Sequence, residues 1–249
     1  MITKTQIKFF KNYGYLIINN LIKKNEIKKC LQSAKRIQNK PDKKIYRYFE
    51  KNIFKIKKDV LIRAENFYNI DKNLTKLINH KSIIKILKKL FNDKPIIFKE
   101  KINYKPPGAR EDKLHQDSQA GWHKFSKKFI SVLITLEKSK LSNGCLQFDI
   151  SGNNHKKLIG KSMKVLQKKK LKKPKFKFFL LEVGDVIFFN NYIPHKSNSN
   201  KSRKSRIQVY LTFNKSKDGN FRKKYLSEKI VSYPPNNMRK NNLKYSYQI

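Results

Sequence analysis

His115 and Asp117 flank a single glutamine in the run HQD, and a further histidine, His195, follows far downstream in YIPH, so a fold that uses all three must bring distant strands to one point. Two imidazoles and one carboxylate on one face of a divalent ion leave the opposite face open. That donor set suits non-haem iron(II), which must also hold a co-substrate and O2. In an extended strand alternate side chains share a side, so His115 and Asp117 are expected to chelate together while Gln116 faces away. The third ligand must then arrive on a different strand.

The residues around His195 suit that delivery. Gly184-Asp185 reads as a turn, and the β-branched and aromatic run 186–189 reads as a buried strand, which places His195 just past its end. Arg206 opens another strand-like run, 206–213. An arginine at the start of a core strand, aimed into a pocket, offers two parallel hydrogen bonds to a planar carboxylate. A dicarboxylic co-substrate is expected there.

Upstream, the period is helical. Ile7, Phe9, Phe10 and Tyr13 mark an amphipathic helix over 6–13 that Gly14 ends, and a short strand is expected over 15–18. Asn25 is expected to cap a helix over 26–38, with Pro41 ending it. Apolar residues from Leu74 to Phe91 predict one helix over 74–91, packed on the outer face of a sheet. From Pro95 onward the spacing becomes strand-like, with strands expected near 96–104, 129–136, 145–150 and 206–213, and the apolar stretch 176–189 completing the core. Pro106-Pro107-Gly108 forces a loop before His115, and Ser142-Asn143-Gly144 forms a turn. The polar, turn-rich stretch after Asn214 is expected to be a flap on the substrate side or a loose tail.

These segments together resemble the phytanoyl-CoA dioxygenase family of iron(II)/2-oxoglutarate oxygenases, and parts resemble ectoine hydroxylase. The resemblance runs from about Ile96 to Phe213 on KINYKPPGAR, HQD, ISVLITLEKSKLSNGCLQF, ISGNNHKK, GDVIFF, PHKSNSN and the late arginine, in that order. It implies a mainly β fold with flanking helices, a double-stranded β-helix or jelly roll with the metal at one mouth. It also implies iron(II), 2-oxoglutarate and O2 as cofactor and co-substrates, with release of succinate and CO2. Carried over by position, His115, Asp117 and His195 match the iron ligands, and Arg206 matches the partner of the distal carboxylate of 2-oxoglutarate. Ser197 matches a hydroxyl that assists Arg206, while Lys99 and Asn103 resemble co-substrate contacts. Trp122 and His123, just after the metal pair, are candidates to face substrate, Trp122 having a core plug as its alternative. His80 and His155 read as structural. Asp117 argues against the related halogenases, in which a small residue leaves room for chloride. The stretch SQAGWHKFSKKF differs from that of ectoine hydroxylase, so ectoine is not the expected substrate.

Composition bounds the alternatives. A chain of 249 residues with 38% hydrophobic content is expected to form one domain, with a helix-rich part over 1–93, a jelly-roll core over 94–214 and a tail over 215–249. Cys30 and Cys145 have no metal or redox spacing and read as buried small hydrophobes in a reducing compartment. No apolar run is long enough to span a bilayer, and a cytoplasmic protein is expected. The formal charge of +43 favours anionic partners in general. Yet Lys is dispersed along the chain and travels with Asn and Ile, which share A/T-rich codons, and no docking motif concentrates it. No specific nucleic-acid partner is expected, and the run Lys168-Lys169-Lys170-Leu171-Lys172-Lys173 reads as a solvated loop. The expected function is hydroxylation of a small polar or anionic metabolite. A metal-holding cupin-like isomerase or sensor, or a basic nucleic-acid binder, is the alternative.

Overall fold

A computed structural model describes residues 2–39, 42–54, 59–240 and 245. The chain opens with α1 (Lys4–Tyr13), where Thr3 and Gln6 cap each other's backbone N–H groups, and Gly14 ends the helix at φ +79°. β1 (Tyr15–Ile18) follows as expected. α2 (Lys24–Asn39) begins earlier than predicted, so Asn25 lies inside its first turn and is not its cap; Pro41, the expected stop, lies outside the described residues. The helix predicted over 74–91 is two, α3 (Lys72–Ile78) and α4 (Lys81–Phe91), with the chain extended at His80 between them. The step of five from Ile78 to Ile83 already breaks the three-and-four rhythm of a single apolar face. Between α2 and α3, two strands that the sequence reading missed, β2 (Tyr46–Glu50) and β3 (Val60–Glu65), pair with each other.

The remaining strands are β4 (Pro95–Lys105), β5 (Asp112–His115), β6 (Phe129–Thr135), β7 (Leu146–Asp149), β8 (Phe176–Phe178), β9 (Val186–Asn190), β10 (His195–Ser197) and β11 (Arg206–Lys215). They form two antiparallel sheets: seven strands in the order β1-β9-β6-β11-β4-β3-β2, and four in the order β5-β10-β7-β8. This is the predicted jelly roll.

Both faces of the larger sheet are covered, which explains why β6 is buried at every position and shows no inside-outside alternation. Ile130, Val132 and Ile134 of β6, with Ile207, Val209 and Leu211 of β11, pack in one core with Ile83 and Leu87 of α4 and Ile27 and Ala34 of α2. The opposite parity looks toward the smaller sheet, where Leu133, Ile187 and Phe189 meet Leu146 and Phe148. Tyr104 ties α2 to β4 through a hydrogen bond of 2.7 Å from its hydroxyl to the Ala34 carbonyl.

The described chain from Lys215 to Lys240 is ordered rather than a loose tail. It forms α5 (Arg222–Ser232), held to the larger sheet by buried ion pairs of Arg222 with Glu100 and of Lys229 with Glu65. The lysine run 168–173 is exposed except for Leu171, as expected of a solvated loop. Both cysteines are buried free thiols. Among the described residues no helix is long and apolar enough to cross a membrane.

Leu87 is fully buried between α4 and the outer face of the larger sheet. Leu87→Ala is expected to cost about 2–5 kcal/mol in chemical denaturation, the usual range for a large-to-small core change. Binding properties of the opposite face should be retained.

Candidate metal centre

β5 and β10 lie side by side with His115 directly opposite His195. Their rings approach to 4.2 Å between centroids. Asp117 does not share a strand with His115, as the alternation argument assumed; it opens a short 3-10 turn, Asp117–Ala120. The alternation survives because Gln116 between them stays extended, at φ −113° and ψ 136°. His115, Asp117 and His195 thus each present a ligand atom, all within 4.8 Å of one another. His195 Nε2 lies 3.8 Å from Asp117 Oδ1.

Gln116 faces away, as predicted, and is fully buried. Its amide nitrogen donates to the Lys157 carbonyl at 2.9 Å, and its amide oxygen accepts from the Ile159 N–H at 2.7 Å. The residue between the two candidate ligands therefore pins the loop that follows β7 and fixes the end of β5.

The donor chemistry fits a divalent metal. His115 Nδ1 donates to the Lys113 carbonyl at 2.6 Å and His195 Nδ1 donates to the Ile193 carbonyl at 3.0 Å, because a carbonyl can only accept. That fixes the tautomer of each ring and leaves both Nε2 lone pairs bare. Burial, and then the neighbouring His195, push the His115 imidazole down to about 4, which keeps it a neutral ligand near pH 7. Burial alone would raise the Asp117 carboxyl, but His195, Lys101, His115 and Lys99 together outweigh it and hold the group below the usual carboxylate range. Asp117 Oδ2 accepts from Ser131 Oγ at 2.9 Å, and Ser131 in turn meets Thr212. Ser131 carries no sequence signal beyond its position on the inward parity of β6.

The cluster opens into a cavity whose other walls come from the inward residues of β3, β4 and β11. Arg206 is 1% exposed, with Nε and Nη1 buried and without a hydrogen-bond partner among the described residues. A buried guanidinium with unmet donors is unfavourable until an anion satisfies it. A carboxylate co-substrate fits that need. Ser197 lies on β10 of the smaller sheet, across from Arg206, and is engaged by Lys105 at 2.6 Å and by Asp112. Lys105 is the cross-strand neighbour of Arg206 and was missed by the sequence reading.

Lys99 and Asn103, offered by the resemblance as co-substrate contacts, both line the cavity, Asn103 opposite Gln208 and Lys99 opposite Thr212, farther from Arg206; Lys101 and Lys105 share their face of β4. Trp122 lines the cavity and also packs on Phe98 and Phe129, so its two readings coincide. His123 corrects its prediction: it is exposed on the 3-10 turn Trp122–Lys124, its Nδ1 is 3.4 Å from the Ser118 carbonyl oxygen, and it does not line the cavity. The turn rotates successive side chains by about a third of a revolution, which carries His123 outward when Trp122 points inward. His155 is buried, with Nε2 3.2 Å from the Lys11 carbonyl oxygen, and is structural as expected.

The profile of the phytanoyl-CoA dioxygenase (PhyH) family matches residues 10–208. The chain is 30% identical over 177 residues to a 2-aminoethylphosphonate dioxygenase from an uncultured bacterium, HF130_AEPn_1, covering 71% of this chain and 67% of that one. It is 25% identical over 234 residues to a methylphosphonate hydroxylase of Gimesia maris, covering 93% and 88%. Among solved structures, EctD of S. alaskensis with 2-oxoglutarate and 5-hydroxyectoine superposes with a TM-score of 0.74 at 18% identity, over 87% of this chain and 77% of that one. The non-heme alpha-ketoglutarate-dependent epimerase SnoN of nogalamycin biosynthesis superposes at 0.68 and 13% identity, over 86% and 82%, and so shares the fold. With the family profile spanning most of the chain, the protein belongs to the phytanoyl-CoA dioxygenase (PhyH) family and is a 2-oxoglutarate-dependent dioxygenase.

Proposed function

We propose that the whole chain acts as one catalytic domain, that His115, Asp117 and His195 hold iron(II), and that Arg206 takes the distal carboxylate of 2-oxoglutarate in the hydroxylation of a small anionic metabolite. The observation that carries this reading is the convergence of three metal-type donors beside a buried, unpartnered guanidinium. Bound iron would couple O2 reduction to decarboxylation of 2-oxoglutarate, giving succinate, CO2 and a hydroxylated substrate. The protein groups do quieter work. The Lys113 and Ile193 carbonyls hold the two imidazoles in the metal-binding tautomer, and Ser131 occupies one oxygen of Asp117 so that the other is presented to the metal. Lys105, beside Arg206 and bonded to Ser197, adds positive charge where the distal carboxylate would lie.

The substrate class is drawn from two sources. Two relatives of this chain are named for phosphonates, and the cavity wall carries Arg63, Lys99, Lys101, Lys105 and Arg110 besides Arg206. A small phosphonate, or a carboxylate of similar size, suits such a wall electrostatically.

His115→Ala is expected to abolish iron-dependent succinate formation and stoichiometric iron(II) binding; turnover at the normal rate would refute the ligand assignment. Arg206→Ala should raise the KM for 2-oxoglutarate roughly 10- to 100-fold, the scale of charge-assisted hydrogen bonds lost from a buried fork. An unchanged KM would place the co-substrate elsewhere. Ser131→Ala should weaken iron(II) affinity about tenfold in an anaerobic chelator competition while leaving the fold intact by circular dichroism. Equal affinities would show that Asp117 needs no such support.

A further inference from the structure

The inward row of β4 divides into two ends. Lys105 stands opposite Arg206, Asn103 opposite Gln208, Lys101 opposite Tyr210 and Lys99 opposite Thr212. Lys99 and Lys101 therefore lie at the end remote from Arg206, on neighbouring positions of one face. Lys99 Nζ sits 5.3 Å from the ring centre of Trp122 and 3.2 Å from the Tyr225 hydroxyl, and Lys101 Nζ lies 4.7 Å from the ring centre of Tyr210.

Charge in this wall is out of balance. The cavity lining holds six cationic side chains, Arg63, Lys99, Lys101, Lys105, Arg110 and Arg206, against three carboxylates. Of the carboxylates, Glu50 is taken by Arg110, Asp112 by Lys105, and Asp117 belongs to the metal cluster. On the same face, on β3, Glu65 accepts the ammonium of Lys229 while also serving Lys99 at 3.8 Å and Arg63 at 3.5 Å, one carboxylate for three cations. Among the described residues no carboxylate lies within ion-pair distance of Lys101. Burial and the neighbouring Lys99 push the Lys101 ammonium down to about 8. An iron(II) ion and a doubly charged 2-oxoglutarate bring equal and opposite charge, so they leave the excess where it was. Positive charge held in a cavity wall, as with the buried Lys99 and the half-buried Lys101, is unfavourable unless an anion meets it.

We propose that Lys99 and Lys101 form a second anion subsite, beside Trp122 and apart from Arg206, that holds the negatively charged group of the substrate, a small organic oxyanion of the phosphonate or carboxylate type. The subsite rests on the iron and 2-oxoglutarate reading above and gives that reading its substrate anchor. Lys101 is the stronger anchor, because it has no competing carboxylate. Lys99, already shared with Glu65 and Tyr225, orients the same group against the indole.

Trp122 is the single tryptophan of the chain, so its fluorescence reports on the subsite directly. Anaerobic enzyme loaded with iron(II) and saturating 2-oxoglutarate would be titrated with methylphosphonate and with 2-aminoethylphosphonate, and 2-oxoglutarate affinity would be measured separately by calorimetry. The wild-type protein should give a saturable fluorescence change with at least one of the two. Lys101→Gln should weaken that binding by about tenfold or more, Lys99→Gln by a smaller factor, and Lys101→Arg should restore most of it. All three variants should bind 2-oxoglutarate within about threefold of wild type, which also shows that they fold. No saturable response to either phosphonate, an unchanged affinity in Lys101→Gln, or a parallel loss of 2-oxoglutarate binding would each overturn the proposal. If the wild-type protein failed to bind 2-oxoglutarate at all, the underlying reading would fall, and the subsite with it.

Discussion

The antiparallel register that sets His115 opposite His195 is the constraint on which the rest of the site depends. β5 and β10 are short, and a slip of one residue would turn both imidazoles to the wrong face of the smaller sheet. Short strands hold register poorly by backbone pairing alone. Here the register is reinforced from outside the ladder. Gln116 is bonded to the loop after β7, Asp112 and Ser197 meet at the other end of the pair, and Lys105 reaches across from β4 to join them. The donor cluster is held by side-chain bonds from both sheets.

The larger sheet divides its labour by parity. Outward residues of β6, β9 and β11, with Ile102 and Tyr104 of β4, are apolar and bury against the helices. Inward residues near the cavity are polar or charged: Lys99, Lys101, Asn103 and Lys105 on β4, and Arg206, Gln208 and Thr212 on β11. The apolar face supplies the stability that a row of buried lysines cannot, since desolvating charge opposes folding. Glu65, almost fully buried, returns part of that cost through Lys99 and Arg63, and Glu65 and Glu100 are both tied to α5. The carboxy-terminal helix thus backs the cationic wall.

Much of this was legible in the sequence. HQD, the later Pro194-His195 and Arg206 marked the cluster because each residue type has a distinct chemical job. The strands with two apolar faces were legible from their β-branched and aromatic runs. β2 and β3 were hidden because their inward residues include Arg63 and Glu65, so the alternation looks like a polar loop. α5 was hidden for a similar reason: its anchors are Arg222 and Lys229, whose burial depends on partners more than a hundred residues away. His123 was misread because it was placed only in the segment after the metal pair, and that segment forms 3-10 turns that point Trp122 inward and His123 outward. Single-residue direction depends on local turn geometry that residue spacing does not encode. Lys101 and Lys105 were passed over because one lysine among so many carries little information until a sheet shows which side it occupies.

The most direct test of the account is an anaerobic crystal structure of the protein with iron(II) and 2-oxoglutarate. The account predicts one metal held by Nε2 of His115, Nε2 of His195 and a single carboxylate oxygen of Asp117, with the far carboxylate of 2-oxoglutarate on the Arg206 guanidinium. A metal bound elsewhere, or 2-oxoglutarate lying away from Arg206 with that guanidinium still unpaired, would contradict it.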